Sequence, residues 1–320
     1  MAQLLDDTLI AGMEAHAVDI ARGAGAILSD RFGKPLAVEY KDKRKSDPVT
    51  AVDRECQEFL TRAIAERYPD HGILGEEDEA EHDDRPAPEF VWVLDPLDGT
   101  KNFIGGLPAY ASSVGVMYRG APIIGAVFIP WPCDAGGAVL HARIGGGAFM
   151  DREPLSVARL DEPGAGALVT LPGSFRAAYR FRRPMRGKVG EVRVTGSIAY
   201  ELAMTARGVL QYCATTGPRL WDVAGGAVLV TEAGGLVMRG HRATGLTATF
   251  ATTQWEPLDT FLPAWRTGQT TMTELRRWSM PLVLGSPGVV RFVTSNLRNR
   301  PRLRHRLARA AGRLRRSRNQ

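Results

Sequence analysis

The chain has 320 residues, of which 44% are apolar and 24% charged, a composition ordinary for a globular protein with a substantial core and a net charge of +6. It contains no stretch of about 18 apolar residues, so no membrane-spanning helix is expected, and its first ten residues lack the basic start of a secretion signal. Three scattered cysteines (Cys56, Cys133 and Cys213) form no Cys-x-x-Cys pair, which argues against zinc and favours a reducing compartment such as the cytoplasm.

In chain order, apolar residues at helical spacing predict a first helix over residues 5–28, ended by Gly33. A second helix is expected over residues 53–68, where Pro69 stops it. Predicted strands follow at 90–94, 111–118 and 123–129. The dipeptide Arg119-Gly120 joins the last two of these strands as a hairpin.

The later part of the body continues this alternation. A strand near 167–171 precedes a polar, Arg-rich stretch, 174–190, which we interpret as a loop or a poorly packed helix. Helices at about 197–207 and 221–233 flank a strand at 209–213, and a further strand is expected at 235–238. Such a mixture of hairpin strands and helices predicts a layered α+β fold.

The segment most informative about function is the run Trp92-Val93-Leu94-Asp95-Pro96-Leu97-Asp98-Gly99-Thr100. Its apolar start predicts a buried strand. Pro96 and Gly99 interrupt the strand, so Asp95, Asp98 and Thr100 should lie on the turn at its end. A carboxylate pair at such a turn suits hard cations with oxygen ligands, and the Gly99 and Thr100 amides suit an anion if a helix follows. The combination is typical of metal-assisted phosphate hydrolysis.

Two further acidic segments support this interpretation. Glu76 lies in Gly75-Glu76-Glu77-Asp78, directly after an apolar pair, and Asp222 opens the helical run Trp221-Asp222-Val223-Ala224-Gly225-Gly226. Each also has a simpler explanation. An aspartate in the first turn stabilises a helix, a threonine such as Thr100 can be only a helix cap, and Glu76, Glu77 and Asp78 fit a solvated loop.

The order of these segments resembles that of the inositol monophosphatase family of Mg²⁺-dependent, lithium-sensitive phosphatases. Two more segments match, Asp47-Pro48-Val49-Thr50-Ala51-Val52-Asp53 upstream and Glu232-Ala233-Gly234-Gly235 downstream, and the resemblance covers about residues 5–262. It implies the αβαβα sandwich of inositol monophosphatases and fructose-1,6-bisphosphatases, usually as a homodimer. A metal-binding half at about 1–150 and a substrate-facing half at 151–265 are then expected.

The resemblance also implies a role for each motif residue. A first Mg²⁺ would bind Glu76, Asp95 and the Leu97 carbonyl, a second Asp95, Asp98 and Asp222, and a third, weaker ion would be helped by Asp53. The Thr100 hydroxyl would accept a proton from the attacking water and donate its own proton to Asp53 or Glu76. The amides of Gly99 and Thr100 would hold the phosphate, and Gly196-Ser197 would face the substrate from the other half.

One position departs from the family pattern. Sugar-specific members carry a Glu seven residues before the aspartate of the second helical motif, and that position here is Thr215. The absent carboxylate argues against myo-inositol 1-phosphate and leaves the metal and phosphate residues intact. We therefore expect a Mg²⁺-dependent phosphomonoesterase acting on a small phosphorylated metabolite. A histidinol-phosphate, 3′-phosphoadenosine 5′-phosphate, sugar bisphosphate or lipid-linked phosphate phosphatase on the same fold remains an alternative.

The end of the chain carries the positive charge. Residues 266–320 contain fourteen Arg, one Glu and neither Lys nor Asp, and the first 265 residues sum to −7, so we place a boundary near Trp265 between the body and a basic extension. Within the extension, two apolar patches, 281–284 and 289–293, precede a basic amphipathic stretch beginning at Arg302. Such a stretch suits an anionic membrane surface. Nucleic acid or a disordered end are alternatives, and a membrane- or nucleic-acid-binding protein with an idle phosphatase body is the rival function.

Overall fold

The computed structural model describes residues 5–35, 38–40, 48–78, 82–132, 136–242 and 253–300. The helices are α1 (Asp7–Arg31), α2 (Ala51–Arg67), α3 (Thr100–Ile104), α4 (Phe175–Ala178), α5 (Ile198–Ala206), α6 (Leu220–Glu232), α7 (Met272–Arg277) and α8 (Pro287–Ser295). The strands are β1 (Val38–Tyr40), β2 (Pro48–Thr50), β3 (Gly72–Gly75), β4 (Phe90–Asp98), β5 (Ala111–Tyr118), β6 (Ala121–Ile129), β7 (Ala138–Arg143), β8 (Gly147–Met150), β9 (Glu153–Pro154), β10 (Leu168–Thr170), β11 (Tyr179–Phe181), β12 (Glu191–Arg193), β13 (Leu210–Ala214), β14 (Leu236–Arg242), β15 (Thr253–Pro257), β16 (Leu282–Gly285) and β17 (Leu297–Asn299).

Two large sheets organise the described part of the chain. Sheet I contains β3 to β9 in chain order, with β3 parallel to β4 and each later pair antiparallel. Sheet II has the order β12-β10-β13-β16-β14-β15, in which β10 is parallel to both of its neighbours and the other pairs are antiparallel. The predicted hairpin at Arg119-Gly120 is confirmed as the β5–β6 connection.

Helices and sheets alternate in layers. Helices α1 and α2 cover one face of sheet I, and residues such as Met13, Leu60 and Trp92 fill the apolar core between them. Helices α5 and α6 fill the space between sheets I and II. Helix α8 covers the outer face of sheet II. The order is helix, sheet, helix, sheet, helix, which confirms the predicted α+β sandwich.

Glycines let α6 lie directly against sheet I. A Cβ added to Gly125 of β6 would stand 2.1 Å from the carbonyl oxygen of Gly225, and one added to Gly115 of β5 would stand 2.8 Å from the Cβ of Ala224. Backbone therefore packs on backbone at this crossing, which larger residues would prevent. The contact fixes the start of α6, and with it Asp222, beside the end of β4.

Residues 266–300 belong to the packed body. Strand β16 runs between β13 and β14 in the middle of sheet II, and Val289, Val290 and Val293 of α8 are fully buried. The apolar patches 281–284 and 289–293 are therefore core segments and not membrane-binding surfaces, and the packed body extends past the boundary expected near Trp265, at least to the end of β17. A short apolar run does not by itself distinguish a buried strand from a surface segment.

The predicted amphipathic stretch after Arg302 lies outside the described residues. Within the described ranges, none of the helices combines the length and the hydropathy that crossing a bilayer requires. The Arg-rich stretch 174–190, expected to be a loop or a poorly packed helix, contains α4, β11 and a 3₁₀ turn at Arg183–Met185. Phe175 and Met185 from this stretch are buried in the core beneath α8.

Candidate active site

The end of β4 carries the first group of acids. The strand continues four residues beyond its predicted end, through a register shift against β5 between Asp95 and Asp98. Gly99 then adopts a left-handed conformation with φ +92°, and a Cβ there would stand 3.0 Å from the Ala109 carbonyl oxygen. Only glycine turns the chain freely in this space. Helix α3 begins at Thr100. The Asn102 and Phe103 amides donate to the Gly99 carbonyl at 2.8 and 3.0 Å, so the Thr100 and Lys101 amides precede the first hydrogen bond of the helix.

Asp53 joins this group from the start of α2. Its Oδ2 accepts hydrogen bonds from the Thr50 amide at 2.8 Å and the Thr50 hydroxyl at 2.5 Å, which together cap the helix. Its Oδ1 lies 3.2 Å from the Thr100 hydroxyl, which also lies 3.1 Å from the Leu97 carbonyl oxygen. The helix cap thus holds Asp53 in place while its other oxygen faces Thr100.

The acids are close enough to affect one another. Burial raises the pKa of Asp95 well above its usual value, and the charges of Glu76, Asp98, Asp222 and Asp53 raise it further. Burial and the Asp222 charge likewise raise the pKa of Asp98, although hydrogen bonds from Ala199 and Ser197 oppose the shift. Burial also raises the pKa of Asp53 and brings that of Asp222 to about 6. Packing these carboxylates together is costly without a compensating cation.

The chemistry of the cluster fits a hard divalent cation. Asp95 is 1% exposed, and its Oδ1 is buried without a hydrogen-bond partner, an arrangement that needs a compensating interaction. Carboxylate and carbonyl oxygens are the ligands that Mg²⁺ prefers. As positioned, no three His, Cys, Asp or Glu side chains of the described residues are gathered tightly enough to form a complete metal-binding group. The oxygen ligands are thus of a suitable type for Mg²⁺, but the side chains do not converge on a single point.

The later half of the chain reaches the site through the segment 195–197. The Ser197 hydroxyl donates to Asp98 Oδ2 at 3.0 Å, and the Ala199 amide donates to the same oxygen. Ser197 is 1% exposed, so its hydroxyl orients Asp98, whereas Gly196 is exposed. The Asn102 side chain donates to the Ala109 and Thr195 carbonyls at 2.6 and 2.7 Å. Asn102 therefore joins α3 to segment 195–197, a role that its position beside Lys101 in the sequence does not indicate.

Asp78 and Thr215 make hydrogen bonds that the sequence did not predict. Asp78, expected on a solvated face, accepts hydrogen bonds from the Gly75 amide, Gln57 and Arg276. Thr215 is 3% exposed, and its hydroxyl accepts a hydrogen bond from the Leu282 amide at 3.0 Å. This hydroxyl therefore stabilises the junction with β16.

Comparison with known proteins defines the family. The sequence model of the inositol monophosphatase family matches residues 10–265, so the chain belongs to this family. It is 36% identical to inositol monophosphatase 3 of Solanum lycopersicum over 236 residues, which are 69% of this chain and 83% of that protein. It is 32% identical to a fructose-1,6-bisphosphatase/inositol-1-monophosphatase of Aquifex aeolicus over 222 residues, 68% of this chain and 81% of that protein.

The solved structures agree on the fold. The extragenic suppressor protein suhB of Bartonella henselae superimposes with a TM-score of 0.66 at 22% identity, covering 89% of this chain and 97% of that one. Family membership makes the protein a phosphoric monoester hydrolase of the inositol monophosphatase type. The family also depends on divalent metal and acts on small phosphorylated substrates.

Proposed function

We propose that the protein is a Mg²⁺-dependent phosphomonoesterase that hydrolyses a small phosphorylated metabolite with a metal-activated water. The observation that carries this proposal is Asp95, a buried carboxylate with an unpartnered oxygen among other acids at the end of β4. A structural carboxylate at such a position would be paired with an arginine, a lysine or several amides. Asp95 instead has the surroundings of a cation ligand.

We assign the residues as follows. The candidate metal ligands for two or three Mg²⁺ ions are Glu76, Asp95, the Leu97 carbonyl, Asp98 and Asp222, with Asp53 at a third, weaker site. The Gly99 and Thr100 amides are assigned to the phosphate. Gly196 faces the substrate from the later half of the chain, and Ser197, in addition to its expected place beside the substrate, keeps Asp98 oriented.

The protein's own groups position the reaction and accept its proton. Bound Mg²⁺ supplies a nucleophilic water at neutral pH and compensates the charge of the phosphoryl group and the leaving oxygen. The Thr100 hydroxyl can donate to Asp53 Oδ1 as it accepts a proton from the attacking water, which makes Asp53 the final acceptor, with Glu76 as the alternative that the family resemblance implies. The amides of Gly99 and Thr100, at the left-handed turn that begins α3, would bind the phosphate. Catalysis on this scheme is mainly positioning and electrostatics.

The test is hydrolysis of a panel of phosphate esters with and without Mg²⁺. The panel should include myo-inositol 1-phosphate, fructose 1,6-bisphosphate, histidinol phosphate, 3′-phosphoadenosine 5′-phosphate and a short-chain lipid phosphate. We expect phosphate release from at least one ester, its loss with EDTA and its recovery with added Mg²⁺. A folded protein that cleaves none of these esters at any Mg²⁺ concentration would contradict the proposal and favour the idle-body alternative.

We further propose that myo-inositol 1-phosphate is not the preferred substrate. Thr215 supplies no carboxylate, and its hydroxyl is engaged with the Leu282 amide. A substrate hydroxyl left without a partner typically costs about 1–3 kcal/mol, so kcat/KM for this ester should be roughly tenfold or more below that of the best ester. The measurement is kcat/KM across the panel at saturating Mg²⁺. Inositol 1-phosphate ranking first would overturn the assignment of Thr215.

The proposed setting is a homodimer in the cytoplasm, associated with anionic membrane through its basic end. Cys56 and Cys213 are buried free thiols, as suits a reducing compartment. On β11 and β17, Arg180 lies opposite Arg298 across the ladder, an unfavourable pairing of like charges that an anionic partner would relieve. Sedimentation equilibrium tests the dimer, and a monomer at micromolar concentration would contradict it. Nucleic acid is the competing partner of the same surface.

A further inference from the structure

A single arginine beyond the family match contacts both sides of the candidate metal site. Arg276 lies near the end of α7, after residue 265, where the match to the family ends. Its side chain is only 16% exposed. Charged side chains are buried to this extent only when they are paired. The partners of Arg276 therefore indicate its role.

The first partner is the turn that carries Glu76. Arg276 Nη2 donates to the Gly75 carbonyl oxygen at 2.8 Å and to Asp78 Oδ2 at 2.7 Å. Asp78 Oδ2 also accepts from the Gly75 amide at 2.8 Å, which closes the turn. Glu76 lies inside it, with its amide bonded to the Leu94 carbonyl at 3.0 Å. The guanidinium thus fixes both ends of the turn around a candidate metal ligand.

The second partner adjoins Asp222. The guanidinium carbon of Arg276 lies 5.5 Å from the centre of the Trp221 ring, within the range of a cation–π interaction. Trp221 directly precedes Asp222 at the start of α6 and is 8% exposed. One planar group therefore contacts the segment that presents Glu76 and the segment that presents Asp222.

The support of Arg276 is rigid. Helix α7 begins at a capping box between Thr271 and Glu274. Leu275 is fully buried, and the Trp278 indole donates to the Phe261 carbonyl at 3.0 Å. A group held by packing on a short, well-anchored helix can define the geometry of what it touches.

We propose that Arg276 is a positioning residue that sets the placement of Glu76 relative to Asp222 and thereby the affinity for divalent metal. The inference rests on the proposed metal site. Partners that orient metal ligands typically change affinity by about 10- to 100-fold when they are removed. Both hydrogen bonds come from the same nitrogen, Nη2, and the ammonium group of a lysine could also donate twice. Lysine lacks the extended planar guanidinium that contacts the Trp221 ring at the same time, so we expect it to replace arginine only in part.

The test compares Arg276→Gln and Arg276→Lys with the matched control Arg277→Gln. Arg277 is the next residue of α7, and its exposed side chain lies 3.2 Å from the His82 ring. Mg²⁺ alone is titrated calorimetrically into each full-length protein. Thermal unfolding in EDTA, and kcat and KM at saturating Mg²⁺, are measured in parallel. We expect Arg276→Gln to weaken Mg²⁺ binding about tenfold, Arg276→Lys to recover part of this loss, and Arg277→Gln to match the wild type. At saturating Mg²⁺, kcat should stay within about threefold, since the ligands themselves remain.

The alternative is that Arg276 only stabilises the fold. Arg276→Gln would then lower the melting temperature in EDTA and leave the dissociation constant for Mg²⁺ unchanged, which would overturn the inference. A cavity of about 300 Å³ borders Asp78 and Arg276, so water can reach Asp78 in the variants. If Arg276→Gln still fails to fold, the Mg²⁺ affinity of Arg276→Lys decides, because wild-type affinity there would contradict the requirement for a guanidinium that contacts both segments. Wild-type protein that binds no Mg²⁺ would instead contradict the proposed function itself.

Discussion

At the scale of single residues, Asp95 combines burial with negative charge, and the two can be separated by substitution. Asp95→Asn keeps the shape of the side chain and removes its charge. We expect activity at saturating Mg²⁺ to fall roughly a hundredfold or more, because metal-supplied charge compensation is worth several kcal/mol. The measurement is kcat/KM for the best ester of the panel.

The same variant should remain folded. In EDTA, Asp95→Asn removes a carboxylate repelled by Glu76 and Asp98, so its melting temperature should not fall below that of the wild type. Asp70→Asn, at an exposed position, is the control and should change neither activity nor stability. Near-wild-type turnover by folded Asp95→Asn would remove Asp95 from the metal site.

His141 is expected to make stability depend on pH. Its Nδ1 lies 2.7 Å from Glu14 and its Nε2 lies 2.9 Å from the Asp151 carbonyl oxygen. Both partners accept hydrogen bonds, so only the protonated ring donates to both. Burial lowers the pKa of His141, but the hydrogen bond and charge of Glu14 and the Asp151 carbonyl outweigh it, and the net pKa lies above 6.5.

The direction of the pH effect follows from that raised pKa. The stabilisation is complete below the unfolded pKa of 6.5 and is lost as the pH rises through the higher folded pKa. The wild type should therefore exceed His141→Gln in free energy of unfolding by about 1 kcal/mol more at pH 5.5 than at pH 8.5. Denaturant unfolding of both proteins at the two pH values measures this difference. A constant difference, or one that grows with pH, would contradict the raised pKa.

At the scale of elements, the crossing of α6 over sheet I links packing to the site. Gly125→Ala introduces a Cβ 2.1 Å from the Gly225 carbonyl oxygen, which belongs to backbone and must be displaced. We expect a loss of about 1–3 kcal/mol in the free energy of unfolding, together with weaker Mg²⁺ binding because Asp222 moves with α6. Denaturant unfolding and calorimetric Mg²⁺ titration measure the two effects.

Gly12→Ala is the matched control for this variant. It lies in α1, and its added Cβ would meet nothing within 4 Å. Helix propensity then favours alanine by about 0.5–1 kcal/mol, so this variant should be as stable as the wild type or more stable. Equal stability of Gly125→Ala and Gly12→Ala would show that the close crossing is not needed.

The sequence predicts best those elements whose signals are local. The first helix and the Arg119-Gly120 hairpin follow from periodicity, capping and turn residues within a few positions of each other. The placement of β16 could not be predicted in this way, because its neighbours β13 and β14 lie far away in the chain. The prediction of a loop or a poorly packed helix over 174–190 was wrong for a related reason. Phe175 and Met185 in this stretch are buried by contacts with the distant α8 layer.

The same distinction between local and long-range signals applies to the active site. The run from Asp95 to Thr100 indicates carboxylates and a helix start, and the structure has both. The expected turn is wrong for Asp95 and Asp98, which lie within β4, because the chain turns only at Gly99. The hydrogen bond from Ser197 to Asp98 joins residues 99 positions apart, and the bond from Arg276 to Asp78 joins residues 198 positions apart. Neither pair has a sequence signal, because each is created by the stacking of the layers. Residue types that bind a ligand are thus readable from motifs, whereas the residues that hold them in place are not.

At the scale of the whole molecule, the boundary of the active body is testable by truncation. Removing residues 266–320 would delete β16 from the middle of sheet II together with α7 and α8. The exposed core edges of β13 and β14 should leave this protein insoluble or unfolded. Removing only residues 301–320 leaves every described element, and phosphatase activity should stay within a few-fold of the wild type. Soluble expression, circular dichroism and the ester assay distinguish the two truncations.

The shorter truncation also tests the proposed membrane partner. Residues 301–320 contain eight Arg and no acidic residue, and each basic residue near an anionic surface contributes about 1 kcal/mol at low screening. Full-length protein should therefore sediment with phosphatidylserine vesicles at low salt and be released at high salt, whereas protein ending at residue 300 should bind far more weakly. Vesicles of neutral lipid are the control. Full-length protein that never sediments with the anionic vesicles, but shifts a short RNA or DNA duplex at the same salt, would assign the basic end to nucleic acid. Loss of activity in folded protein ending at residue 300 would show instead that the basic end acts on the catalytic site.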